Sequence, residues 1–257
     1  MNDEWKVWDK DEKYGQVLYQ RAVGELPEME SSKIIAQVVN KYIIPDAKVL
    51  DVGCGAGHYL KSLRRVCGSN FSYLGVDATE NYIDQAKKAF VDDKGCDFML
   101  SDIFDLEIKD NSYNIVMSNN VFLHLPSIKK PLSELIRVAN GHVIIRLLAG
   151  SRSFQIKDIA PQKSGLDFKP NGEPVAWHYY NIYHYKYIES LLKTNKKVKS
   201  WAINPDFDYE EESITNSIKD HVDAHDASTI LNGYQVNGYI IQPWSIIEIE
   251  IDDASVS

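Results

Sequence analysis

Cysteine is scarce: three thiols in 257 residues, at Cys54, Cys67 and Cys96, form no C-x-x-C pair and leave one over in any disulfide scheme. That excludes a disulfide-stapled secreted domain and points to reduced thiols in a cytoplasmic protein. No apolar run approaches the roughly 18 residues needed to span a bilayer. The opening MNDEWKVWDKDEKYG lacks the apolar centre of a signal peptide. Basic charge is also in short supply, with 28 Lys and Arg against 37 Asp and Glu for a formal charge of -9. Such a field repels phosphate backbones, so nucleic acid is not the expected partner. A basic amphipathic helix of the membrane-surface type is missing as well. No repeat or low-complexity tract suggests a structural scaffold. What is present is 44% apolar content in a chain long enough for one α/β domain with an appendage.

The chain is organised around AKVLDVGCGAGH, residues 47 to 58. An apolar strand ending in an acid meets glycines at 53, 55 and 57, and Tyr59 to Val66 follows with helical periodicity. Glycine at alternate positions permits positive φ and close approach of a ligand to the main chain. The dinucleotide fingerprint G-x-G-x-x-G needs its third glycine at 58, where His58 stands, and the Walker ending Gly-Lys-Ser/Thr is absent. Both observations weaken a nicotinamide or a nucleoside-triphosphate reading.

Further strands are predicted at 71–76, 96–100, 113–118, 142–148, 198–203 and 238–251, the last carrying Pro243, which favours an edge or a bulge. Helices are predicted at 28–42, 81–90 and 131–138. This alternation is the signature of a doubly wound parallel sheet. Asp77 ends the second strand, 26 residues after Asp51. An acid there can accept hydrogen bonds from both ribose hydroxyls of a nucleoside lying on the glycine turn. Asn119, Asn120 and His124 follow the fourth strand, where open α/β sheets bind ligands.

Residues 49–57 resemble, position for position, the [VIL]-L-[DE]-x-G-x-G-x-G motif of class I S-adenosylmethionine-dependent methyltransferases. The resemblance extends over about residues 30–150 and implies an α/β, doubly wound, seven-stranded and mostly parallel sheet, with one antiparallel strand inserted by the last hairpin. It implies S-adenosyl-L-methionine as cofactor, held by Asp51, Gly53, Gly55, Gly57, Asp77, Ala78 and Asn119. Asp102 and Ile103 take the places that meet the adenine. A helical cap over residues 1–30 would cover the site, placing Tyr19 and Arg21 near the methionine moiety. One domain over 31–257 then carries insertions at 151–187 and 204–237, after strands five and six, on the acceptor side. Tyr113-Asn114 departs from the family's usual Phe-Asp, and this should affect only local hydrogen bonds.

WHYYNIYHYKY at 177–187 either walls an acceptor pocket or begins a helix packed on the core. His124, His178 and His184 are the candidate bases, and Arg146, Tyr179 and Tyr180 the candidate acceptor contacts. In the acidic 204–237 stretch His221, Asp223, His225 and Asp226 offer metal donors, but the metalloprotease glutamate is missing and no metal is expected.

The expected reaction is methyl transfer to a small molecule by a monomer or homodimer. Proximity and alignment can supply roughly 7–11 kcal/mol. A neutral hydroxyl acceptor needs a base, whereas a carboxylate or phosphate acceptor needs none, and the sequence leaves that choice open. Similarity in the GEP…YYNIY region suggests oxygen methylation in surface-polysaccharide or secondary-metabolite biosynthesis. The alternatives are nitrogen or carbon methylation and a non-catalytic cofactor-binding regulatory module.

Overall fold

The computed structural model describes residues 6–8, 12–159, 168–206, 229–231, 234–237 and 240–252. Two helices, α1 (Glu12–Val23) and α2 (Glu30–Asn40), precede the alternating core of β1 (Ala47–Val52), α3 (His58–Cys67), β2 (Phe71–Asp77), α4 (Glu80–Ala89), β3 (Cys96–Leu100), β4 (Tyr113–Asn119), α5 (Lys129–Val138) and β5 (Ala139–Gly150). After it come β6 (Lys157–Ile159), β7 (Trp177–Tyr179), β8 (Tyr183–His184), α6 (Tyr185–Lys193) and β9 (Val198–Pro205). The described chain closes with β10 (Thr229–Leu231), β11 (Tyr234–Asn237), β12 (Ile240–Gln242) and β13 (Trp244–Ile251).

The main sheet runs β3-β2-β1-β4-β5-β13-β9, and β8 adds a short strand beside the end of β5. Pairs from β3 to β5 are parallel, while β13 is antiparallel to both neighbours. The doubly wound, mostly parallel expectation therefore holds. Side chains alternate faces along each strand. Val49, Ile115, Met117 and Ile144 join the layer of α2 and α3, and Leu50, Val116, Val143 and Ile145 join that of α5 and α6. Strands buried on both faces must be apolar throughout, which is why Ile115–Met117 and Val143–Ile145 read as unbroken apolar runs.

Strand order reverses between β1 and β4, and the carboxyl ends of those two strands open the crevice where such sheets bind ligands. Helix α1 lies over this end, with Leu18 packed on Ala56 and Tyr82.

Two expectations need correction. The strand predicted over 238–251 breaks at Pro243 into β12 and β13, and only β13 is the antiparallel strand inserted in the sheet, between β5 and β9. Proline has no N–H to continue a ladder, although its carbonyl still accepts from Ala149 N at 2.9 Å. The aromatic run 177–187 is helical only from Tyr185, because Trp177–Tyr179 pairs with β6. His221, Asp223, His225 and Asp226 lie outside the described residues.

Candidate functional site

The glycine turn is built as its spacing requires. Gly53, Gly55 and Gly57 have φ of 81°, 54° and 80°, a region that side chains with a Cβ rarely adopt. Space is as limiting as conformation: a Cβ on Gly53 would lie 2.2 Å from Val121 Cγ2, and one on Gly55 2.9 Å from Leu18 Cδ1. Gly53 N and Cys54 N both donate to Val76 O, at 2.7 and 3.0 Å, which folds the turn against the end of β2.

Asp77 completes the turn. One carboxylate oxygen accepts from Gly55 N and the other from Thr79 N, each at 2.9 Å. A carboxylate oxygen has two lone pairs, so neither of these bonds by itself saturates its oxygen. Asp51 is buried beneath and accepts from Tyr73 Oη at 2.8 Å. Burial raises its pKa to about 7, and the nearby Asp77 charge adds to the rise while the Tyr73 bond opposes it. Asp51 thus supports the turn from below. Ala78 follows Asp77, half-buried.

Across the crevice, β4 ends at Asn119, which is 4% exposed. Among the described residues, neither its amide nitrogen nor its amide oxygen has a partner. A buried amide left without partners costs about 1–3 kcal/mol, so this one is free to bond a group entering from outside the described residues. Asn120 then turns the chain at φ 62°, and Val121 lands on Gly53.

His124 Nδ1 lies 2.9 Å from Tyr179 O. A carbonyl only accepts, so Nδ1 carries the proton and Nε2 is left as the basic nitrogen. Burial lowers this pKa to about 4, the Tyr179 bond opposes that, and the His178 charge lowers it further.

The amino-terminal segment crosses the same end of the sheet. Lys6 Nζ pairs with Asp102 Oδ2 at 2.9 Å, and Asp102 Oδ1 accepts from Phe104 N at 2.9 Å. Trp8 packs edge-on against His124 and stacks on His178, with centroids 4.7 and 5.2 Å apart. Tyr180 flanks His124 at 5.5 Å. Ile103 is buried in the core beside the loop after β3. On α1, Tyr19 packs near Ala56 under the Lys88 ammonium, 5.1 Å from its ring. Arg21 Nε is buried without a partner among the described residues. His58, at the start of α3, is held neutral, its pKa lowered to about 3 by burial and then by the Arg21 charge.

Two candidates serve other purposes. His184 caps α6, its Nδ1 accepting from Lys186 N at 2.9 Å. Arg146, expected to grip an acceptor anion, is 3% exposed and paired with Asp206 and Asn120. A guanidinium so enclosed is not presented to an acceptor. Sequence reasoning passed over Trp8, Val121 and Asp206 as site residues. Only the aromatic density before residue 20 hinted at the first, and nothing local signals the other two.

Residues 43–171 match the model of a methyltransferase domain family. Carboxy-S-adenosyl-L-methionine synthase of Shewanella woodyi is 31% identical over 93 residues, 35% of this chain and 38% of that protein. Across the first three curated relatives the match spans 38% to 44% of their length. Magnesium protoporphyrin IX methyltransferase of Synechocystis PCC 6803, solved with bound SAH, superposes at TM-score 0.56 with 16% identity, covering 97% of this chain and 99% of that one. A methyltransferase of Methanosarcina mazei superposes at TM-score 0.51 with 14% identity, covering 84% and 96%. Both similarities are of fold.

Proposed function

The chain belongs to this methyltransferase domain family, and from that membership we propose that it is an S-adenosyl-L-methionine-dependent methyltransferase of a small molecule. The observation that carries this reading is the turn of three positive-φ glycines with Asp77 bonded to it, beside the end of β4, where the buried Asn119 amide has no partner among the described residues. When bound, the cofactor supplies a methyl group already activated on a sulfonium. The chain's own work is then to bind, orient and exclude water. Asp77 would accept from the ribose and Asp102 from the adenine, and the Asn119 amide would find in the bound cofactor the partners it lacks among the described residues.

The finer reading is an oxygen acceptor. His124 favours it, because its tautomer leaves Nε2 able to take a hydroxyl proton. Trp8, His178 and Tyr180 around it form an aromatic wall that suits a small molecule. His124→Ala should then lower transfer to a hydroxyl acceptor by about 10²–10⁴-fold, with cofactor affinity unchanged in calorimetry. An undiminished rate would assign the acceptor to the class that needs no base.

Calorimetric titration with S-adenosylmethionine, its demethylated product and NAD is the primary test. Micromolar binding of the first two, lost in Asp77→Ala, is expected. Binding of NAD alone would overturn the reading.

A further inference from the structure

The buried pair of Arg146 and Asp206 is withdrawn from any acceptor, and one of its bonds leads to Asn120, beside the cofactor turn. Arg146 enters from the carboxyl-terminal part of β5, and Asp206 follows β9 directly. Their side chains are 3% and 0% exposed, and both Nε and Nη2 of Arg146 donate to Asp206 Oδ2. The guanidinium carbon lies 3.8 Å above the Trp244 ring, and Asp206 N donates to Trp244 O at 3.1 Å. Arg146 is therefore held from the side of β13 as well as by its counter-ion.

The third guanidinium nitrogen, Nη1, donates to Asn120 Oδ1. From the other direction Asn120 N donates to Arg146 O at 3.1 Å. The same arginine thus grips both the backbone and the side chain of a residue held at φ 62°. A non-glycine residue at such φ is disfavoured and is held there by its surroundings. The next residue, Val121, fills the space that Gly53 leaves by lacking a Cβ, and the preceding one, Asn119, carries the unpartnered amide.

A buried ion pair is weak support for stability, since desolvation offsets most of the Coulomb gain. Geometry is the better account of it. We propose that the Asp206–Arg146 pair is a positioning device that clamps Asn120 in its left-handed turn, so that Asn119 and Val121 are presented to the cofactor and to the glycine turn. Asp206 touches no ligand in this scheme and acts through Arg146. The inference rests on the cofactor reading above.

The test is calorimetry with S-adenosylmethionine on the full chain, with thermal unfolding in parallel. Asp206→Asn should bind about tenfold more weakly than wild type, the size expected for coupled neighbours in one network. Adding Asn120→Gly should return most of that affinity, because glycine holds positive φ without a clamp, while the lowered melting temperature stays. A purely structural pair would lose and regain both together. Asn120→Ala alone, with the ion pair intact, should also bind about tenfold more weakly. It decides the matter if Asp206→Asn fails to fold. Wild-type affinity in Asp206→Asn or in Asn120→Ala, or a loss that Asn120→Gly leaves in place, overturns the positioning role and leaves the cofactor reading intact. No binding by the wild-type chain overturns both.

Discussion

At the scale of single residues, Gly53 is the most demanding position. It combines a φ of 81° with a 2.2 Å clash between any Cβ and Val121. Gly53→Ala should destabilise the fold by about 1–3 kcal/mol, measured by urea unfolding, and should abolish cofactor binding. Val121→Ala in the same chain should recover part of the stability by relieving the contact, but not the φ strain. The need for glycine here was legible in sequence because turn chemistry is local. Asp77 was legible for the same reason, as its interval from Asp51 is set by one helix and one strand. Asp206 was not. Its meaning depends on Arg146, 60 positions earlier in the chain, and no local pattern records a bond between them.

At the scale of elements, periodicity located every helix of the core, but not what holds their ends. Ser31 and Ser32 lie in the first turn of α2 but do not cap it. Met29 is the N-cap, and both serines are buried, Ser31 accepting from Tyr59 Oη at 3.2 Å. The carboxyl end of α5 is satisfied from a distance. Lys197, just before β9, donates from Nζ to the carbonyls of Ile136, Arg137 and Ala139 at 2.8, 2.9 and 3.1 Å, and to Asn111 Oδ1 at 2.6 Å. The last carbonyls of a helix carry partial negative charge and lack intrahelical donors, so an ammonium is well placed there. Burial lowers the Lys197 pKa, and the Asp110 charge opposes that. Lys197→Met keeps the apolar stem and removes the donor. It should lower stability by about 1–2 kcal/mol in urea unfolding without altering cofactor affinity, since it lies at the opposite end of β5 from Arg146.

At the scale of the whole molecule, the sheet order followed from alternating strands and helices. The path of Lys6–Trp8 to the segment after β5 did not, because a chain crossing the carboxyl ends of the strands leaves no periodic trace. The enclosure produced there has a consequence for pH. His58 and His124 keep their neutral forms down to about 3 and about 4 in the folded chain, against about 6.5 when unfolded. Their depressed values contribute stability that is complete above pH 6.5 and is lost as pH falls through the folded values. Asp51 acts oppositely. Its folded pKa of about 7 stands above an unfolded value near 3.9, so acidification over that window favours the fold by one proton. Burial also lowers His142 and raises Asp206, so three histidines stand against two carboxyls; the unfolded chain binds more protons between about pH 4 and 6.5, and stability should decline across that range. Thermal unfolding at pH 7 and pH 4.5 measures the decline. His124→Gln, which cannot titrate, should make the decline shallower. A midpoint that instead rises in acid for the wild-type chain would mean that the two imidazoles are solvated, and with them the wall that Trp8 builds against His124.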